Sequence, residues 1–173
     1  MSEPRTHGPA LVREGQSGAP AILVLDPLGE AKHGDLPPTW SGLVADRHVC
    51  WCRLPADGAR TEAEDLLADP DAIGYTVDLV VSGPVAFEGL GMAARHPDTV
   101  RSVLLVAPES HSLHDGEDLI AARTTELESE GVVVTVVARS FEGERDRIGP
   151  PLPLGHPDVA VAIHHALTAR DRA

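Results

Sequence analysis

The sequence predicts an α/β fold, a three-layer sandwich in which helices cover both faces of a mostly parallel central sheet. Five short apolar runs recur along the chain, with helical stretches between them. The runs are rich in Val, Leu and Ile and do not alternate with polar residues, which is typical of strands buried on both faces. Strands and helices in alternation favour parallel strands joined by right-handed crossovers.

The strands and helices follow in order along the chain. The predicted strands are Ala21–Leu25, His48–Arg53, Val77–Val81, Val103–Val106 and Val132–Val137. The predicted helix starts are the capping box Thr61-x-x-Glu64, Pro84 at a first helical position, Asp115, and Pro157–Asp158. The corresponding ends are Leu67, a point near Arg95, residue 130 before Gly131, and a point near Ala169. Ligands of such sheets collect beyond the carboxyl ends of the strands, so the loops there are searched for a site.

Length and composition limit the domain count and the classes of partner. The 173 residues fit a single domain over residues 10–173 after a flexible polar arm, residues 1–9. A net charge of −13 repels phosphate backbones and anionic lipid, and 3% aromatic residues leave little for base stacking, so nucleic acid and membrane partners are not expected. No apolar run approaches the roughly 20 residues of a spanning helix, and no leader pattern is seen, which predicts a cytoplasmic protein.

The cysteine and histidine patterns predict no metal and no cofactor. Cys50 and Cys52 lie two apart in a predicted strand, a spacing that favours buried free thiols over a disulfide, a zinc site or a redox pair. His111, His114 and Asp115 share one loop, but no further ligand is identifiable, and solvated polar residues are the favoured interpretation.

Four stretches of the sequence carry a family resemblance. In chain order they are GAPAILVLDPLGE, RHVCWCRLPADG, HPDTVRSVLLVAP and GHPDVAVAIHHAL. Together they resemble the α/β-hydrolase family, over about residues 10–170. The resemblance implies a nucleophile on the sharp turn after the third predicted strand, and an oxyanion hole built partly from the backbone N–H of the next residue.

The sequence departs from that family at the nucleophile turn. The family pattern is Gly-x-Ser-x-Gly, and its nucleophile position falls on Gly83, between Val81 and Val85. Gly83 has no hydroxyl, and Pro84 has no N–H to stabilise an oxyanion. A register shifted by one residue would instead make Ser82 the nucleophile. The Gly83 register predicts that acyl-transfer chemistry has been lost.

The resemblance also assigns the remaining catalytic positions. Asp26 and Pro27 stand where the family has the histidine and glycine of the oxyanion loop. The resemblance therefore places a carboxylate at a site that normally stabilises negative charge, which is unfavourable for an oxyanion. Asp146, in GERD, resembles the triad acid, and His156, just before the last helix, is the candidate for the triad histidine, although it can equally be a surface residue.

Glu109 and His111 follow the fourth predicted strand and are candidates for proton transfer. A carboxylate at a strand end can act as a general acid or base, and His111 or His156 would be its partner. The competing interpretation of Glu109 is a helix cap or a solvated acid.

Two functional hypotheses follow, and the first is favoured. The chain is a non-catalytic module that binds a small-molecule ligand or a protein partner at an uncapped pocket formed by Pro27, Leu28, Gly83 and Pro84. The alternative is a lyase, cyclase or isomerase that uses Asp26, Glu109, His111 and His156, with a serine hydrolase based on Ser82 in third place.

The expected absence of a cap domain predicts apolar residues around the strand ends. Leu28, Leu36 and Leu54 are expected to be exposed there. A homodimer, another partner or a ligand would cover such a surface.

Overall fold

The computed structural model of the chain describes residues 8–31, 33–74, 76–106, 119–137 and 153–172. Its strands are β1 (Leu11–Glu14), β2 (Ala21–Asp26), β3 (His48–Arg53), β4 (Val77–Ser82), β5 (Val100–Val106) and β6 (Val133–Val137). Its helices are α1 (Ser41–Asp46), α2 (Ala59–Ala68), α3 (Pro70–Ile73), α4 (Ala86–Arg95), α5 (Leu119–Ser129) and α6 (Pro157–Asp171). Short 3₁₀ turns at Pro38–Trp40 and Gly83–Val85 lead into α1 and α4.

The strands form one mostly parallel sheet, which confirms the predicted α/β class. The strand order is β1-β3-β2-β4-β5-β6. The adjoining pairs among β2 to β6 are all parallel. Strand β1 lies at one edge and pairs antiparallel with β3. This arrangement is consistent with an α/β-hydrolase-like sheet. The β5–α5 connection spans residues 107–118, which lie outside the described residues and are too few for a cap domain.

Helices cover both faces of the sheet and create two apolar layers. On one face, α1 and α6 cover the sheet, and Leu43, Ile163 and Val24 belong to one buried apolar cluster there. On the other face, α2, α4 and α5 cover the alternate residues of the same strands, and Leu90 and Leu105 belong to that layer. Successive residues of a strand point to opposite faces, so a continuous apolar run is needed to fill both layers.

All five predicted strands are confirmed, but β1 was not predicted. Its sequence, Leu-Val-Arg-Glu, has no continuous apolar run. Val12 is buried while Arg13 is exposed, because this edge strand covers the core with part of its surface only. Its position depends on pairing with β3, a contact that the local sequence does not signal.

The capping-box prediction at Thr61 is wrong. Helix α2 begins at Ala59, after Gly58, whose φ of 77° suits glycine. The Glu64 carboxylate accepts hydrogen bonds from Arg95, with Nε at 2.9 Å, and lies 2.7 Å from His96 Nε2. The side chain of Glu64, which a capping box would use, therefore binds the end of α4 instead. Asp115, the predicted cap of α5, lies outside the described residues.

The start of α6 agrees with the sequence prediction. Pro157 occupies the first turn, and the helix continues to Asp171, two residues beyond the predicted end. None of the helices in the described ranges is long and apolar enough to span a bilayer.

The two cysteines are free and buried, as predicted. Both side chains lie in the layer under α2, and Cys52 Sγ donates to the carbonyl oxygen of Ala59 at 3.1 Å. Burial raises the pKa of Cys50 to about 11 and that of Cys52 to about 12. Thiols with such pKa values are almost wholly protonated at neutral pH and are therefore poor nucleophiles.

A network of charged side chains lies at the amino ends of the central strands. Asp78, in β4, is fully buried and accepts hydrogen bonds from Arg101 Nε at 2.9 Å and Nη2 at 2.8 Å. Arg101 Nη2 also donates to Asp171 at the end of α6, at 2.9 Å. Arg47 binds Asp171 as well, and its Nη1 lies 3.7 Å from Asp78 Oδ2. This network holds the end of α6 against the sheet, on the side away from the predicted site.

Candidate functional site

The turn after β4 has the conformation predicted for a nucleophile turn, with glycine at its tip. Strand β4 ends at Ser82, and the buried Gly83 adopts a φ of 46°, in the left-handed region. Glycine reaches this region without the steric cost that a side chain would add. Helix α4 then lies so close to β4 that a Cβ on Gly89 would stand 2.3 Å from a methyl group of Val81. Helix α4 is therefore packed closely against β4 directly after the turn.

The chemistry of that turn is not that of a nucleophile turn. Gly83 contributes no side chain, and Pro84, which follows it in the first turn, has no N–H to donate. Acyl-transfer sites depend on such a donor, whose removal costs about 100- to 1,000-fold in rate.

Ser82 lies at the carboxyl end of β4 and is 2% exposed. Its backbone is extended, with φ −125° and ψ 153°, as in the preceding strand residues and not as in a nucleophile turn. Within the described ranges, no histidine or carboxylate is hydrogen-bonded to its hydroxyl. A serine nucleophile needs such a base to accept its proton.

Asp26 is enclosed by hydrogen-bond donors at the carboxyl end of β2. Its Oδ1 accepts the backbone N–H of Leu28 at 2.9 Å, and its Oδ2 accepts the backbone N–H of Glu30 at 2.6 Å. Oδ2 also accepts the indole N–H of Trp51 at 2.9 Å, and Asp26 is 0% exposed. Burial raises the pKa of Asp26, although the hydrogen bonds from Trp51 and from the backbone partly offset that rise. The carboxylate thus holds the loop over residues 27–30 in place.

The apolar surface expected around the strand ends is smaller than predicted. Leu28 is 37% exposed and Pro27 is half-buried. Leu36 and Leu54 are buried, at 7% and 5% exposure, so the prediction of their exposure was wrong. Both belong to the packed apolar layers on the two faces of the sheet.

Sequence reasoning missed the cross-links among the loops at this edge. The buried Arg53, at the end of β3, donates from Nε to the carbonyl oxygens of Gly29 and Glu30, at 3.1 and 2.9 Å. Its Nη1 donates to the carbonyl oxygen of Pro9 at 2.8 Å. Glu30 Oε2 accepts the N–H of Gly155 at 3.1 Å. The only sequence signal was an arginine that ends an otherwise apolar strand.

His156 serves as the N-cap of α6. Its Nδ1 accepts the backbone N–H of Asp158 at 3.2 Å, and the side chain is 33% exposed. The segment before it is fixed by Trp40, whose indole N–H donates to the carbonyl oxygen of Leu154 at 2.8 Å. Among the described residues, no hydrogen bond joins His156 to Ser82 or Asp26.

The other candidate residues cannot be placed. Glu109, His111 and Asp146 lie outside the described residues, as does the loop that contains His114. Their proposed roles therefore remain predictions from the sequence.

Two adjoining cavities lie on a different part of the molecule, between α1 and α6. One has a volume of about 240 Å³ and is lined by Arg47, Asp171 and neighbouring residues. The other has a volume of about 470 Å³ and is lined by Val161 and His164 among others. Neither cavity is lined by a residue of the Gly83 turn.

Comparisons with known proteins add little to this geometry. No family model matches the sequence, and no curated protein matches it. Among solved structures, the chain is similar to a membrane phospholipase A described as a novel bacterial virulence factor, at 20% identity and a TM-score of 0.42. The similarity covers 94% of this chain and 59% of that one.

Proposed function

We propose that this chain is a non-catalytic protein on an α/β-hydrolase-like scaffold, which binds a small molecule or a protein partner at the carboxyl ends of its strands. The observation that carries the proposal is the turn after β4, where Gly83 supplies no hydroxyl and Pro84 supplies no N–H. The nucleophile and the oxyanion donor of the family pattern are both missing from this one turn, although Gly83 at its tip has a positive φ.

The environment of Asp26 supports the same conclusion. A carboxylate with a raised pKa is often an acid or base in catalysis, which favours the alternative of a lyase, cyclase or isomerase. Asp26 is 0% exposed, however, and three donors from Leu28, Glu30 and Trp51 already occupy it. A group that a substrate cannot reach is better suited to holding a loop than to moving a proton.

We expect the protein to show no serine-hydrolase activity. The wild-type chain should give no burst with activated esters and no labelling by a fluorophosphonate probe. Ser82→Ala should behave identically, and Gly83→Ser should remain unlabelled because Pro84 still lacks the N–H. Stoichiometric labelling of the wild type that Ser82→Ala abolishes would contradict the proposal and identify Ser82 as a nucleophile.

Leu28 is expected to contribute to the binding surface, because it is the exposed apolar residue of the Asp26 loop, at 37% exposure. In thermal-shift measurements with a small-molecule library, a ligand at about 100 times its Kd should raise the Tm by about 5–10 °C. Leu28→Glu should abolish this shift. Val161→Glu, on the distant surface of α6 and 68% exposed, is the matched control and should retain it. A wild-type Tm that no compound raises would overturn the small-molecule form of the proposal.

A further inference from the structure

Strand β6 forms an edge of the sheet, and no strand of the described residues pairs with its outer side. Val133–Val137 pairs with β5 on one side. On the other side, no backbone group of the strand is hydrogen-bonded to any residue in the described part of the chain. A row of such donors and acceptors is a template for pairing with another strand.

The strand itself carries none of the residues that usually discourage edge pairing. Natural proteins protect edges with charged residues, proline or bulges. Strand β6 reads Val-Val-Thr-Val-Val, without a charge, a proline or a glycine, and its register with β5 is regular. Val133 and Val136 are 37% and 41% exposed. Apolar surface therefore accompanies the unpaired backbone at this edge.

The sequence of β6 is a palindrome centred on Thr135. If two copies pair antiparallel about a two-fold axis through this residue, Thr135 faces Thr135, and every valine faces a valine. Cross-strand Thr–Thr pairs and pairs of β-branched residues are favourable. A two-fold interface requires self-complementarity of this kind, since each residue must meet its symmetry mate or partner across the axis.

We propose that β6 pairs antiparallel with β6 of a second copy of this chain, which joins the two sheets into one. The interface lies at the edge strand, apart from the Gly83 turn, and does not depend on the binding function proposed for that turn. A second copy is the occupant best suited to a strand that is complementary to itself.

The charge of the protein makes this association dependent on salt. Each chain carries a net charge of −13, so two copies repel one another, whereas the pairing strand itself is uncharged. Glu128 and Glu130 are exposed, lie shortly before β6 in the sequence and contribute to this negative charge. Salt screens repulsion between exposed charges and leaves the apolar and hydrogen-bonded contacts in place. The dimer should therefore tighten as the salt concentration rises.

Sedimentation velocity at micromolar concentration tests the proposal, with the full chain at low and at high salt. We expect a dimer fraction that grows with salt. Thr135→Lys should abolish the dimer because it places two like charges opposite each other, even though it lowers the overall negative charge. Val161→Lys, at a site 68% exposed on α6, makes a matched addition of charge and should leave the dimer intact.

Hydrogen exchange supplies a second measurement. In the dimer, the outward amides of β6 should be protected, and in Thr135→Lys they should exchange rapidly while the amides of β5 remain protected. If Thr135→Lys does not fold, Val136→Lys, at a side chain 41% exposed, replaces it. A wild-type monomer at all salt concentrations, or a dimer that resists the lysine variants, would overturn the proposal. The ligand shift that depends on Leu28 should be the same in the monomeric variants, so failure of either proposal is recognised separately.

Discussion

Replacing Asp26 with alanine is expected to lower the free energy of unfolding by about 3–5 kcal/mol. The change removes the acceptor of three donors, the backbone N–H groups of Leu28 and Glu30 and the indole N–H of Trp51. Each buried donor left without a partner costs about 1–3 kcal/mol, and part of this is recovered where water reaches the loop. Urea denaturation followed by Trp fluorescence measures the loss directly.

Two control variants separate this role from a general effect of losing a carboxylate. Asp57→Ala makes the same change at an exposed loop residue and should alter stability by less than about 0.5 kcal/mol. Asp26→Asn keeps one acceptor oxygen and should fall between alanine and the wild type. If Asp26→Ala were as stable as Asp57→Ala, the assigned role of Asp26 in holding the loop would be wrong.

The pH dependence of stability gives a further check on Asp26. Burial raises the pKa of Asp26 in the folded state, although hydrogen bonds partly offset the rise. The folded protein then holds this proton more tightly than the unfolded chain, so the contribution of Asp26 to stability falls as pH rises through its folded pKa. Asp26→Asn should lose this pH dependence. Its stability relative to the wild type should therefore improve as pH rises from the unfolded-state pKa of Asp26 to the raised pKa of the folded state.

Asp78→Ala should be as damaging, with an expected loss of about 3–5 kcal/mol and a fall in Tm on the order of 10 °C. Asp78 is fully buried and accepts from Arg101 and from the hydroxyl of Ser102, with Arg47 Nη1 at 3.7 Å. Its removal leaves Arg47 and Arg101 at the amino ends of the strands with Asp171, which is partly exposed, as their shared carboxylate. Thermal unfolding monitored by circular dichroism measures the effect.

Asp171→Ala is the matched control, because Asp171 contacts the same two arginines but its side chain is 40% exposed. Water can replace an exposed carboxylate, so a loss of about 1 kcal/mol is expected. Burial acts to raise the pKa of Asp171, but hydrogen bonds and charge from Arg101 and Arg47 lower it overall. Its stabilisation should therefore be lost as pH falls through the folded pKa. Equal losses from Asp78→Ala and Asp171→Ala would show that burial of Asp78 is not what makes the network important.

Much of the fold could be predicted from local sequence. Continuous apolar runs such as Val77–Val81 identify buried strands because a strand covered on both faces needs apolar residues at every position. Gly83 could be predicted to have a positive φ because the turn between a strand and the following helix requires that conformation. Pro157 and Asp158 predicted the start of α6 for a similar reason, since proline fits the first helical turn.

The predictions that were wrong or incomplete share a physical cause, which is contact between segments that are not neighbours in the sequence. Strand β1 was missed because its Leu-Val-Arg-Glu sequence becomes a strand only by pairing with β3. Leu36 and Leu54 are buried because they join the apolar layers of the assembled fold, which the local sequence does not signal. The capping box at Thr61 was wrong because a contact between α2 and α4 uses Glu64.

The sequence by itself determined the α/β class, the strands of the central sheet, and the absence of a hydroxyl and an N–H at Gly83 and Pro84. These properties are covalent or depend on neighbours in the chain. Only the tertiary structure decided that Asp26 is enclosed by three donors, that His156 caps α6, and that β6 has no strand on its outer side among the described residues. A hydrogen-bond partner or a strand neighbour is chosen by contacts between distant segments, and the local pattern of residues does not encode that choice.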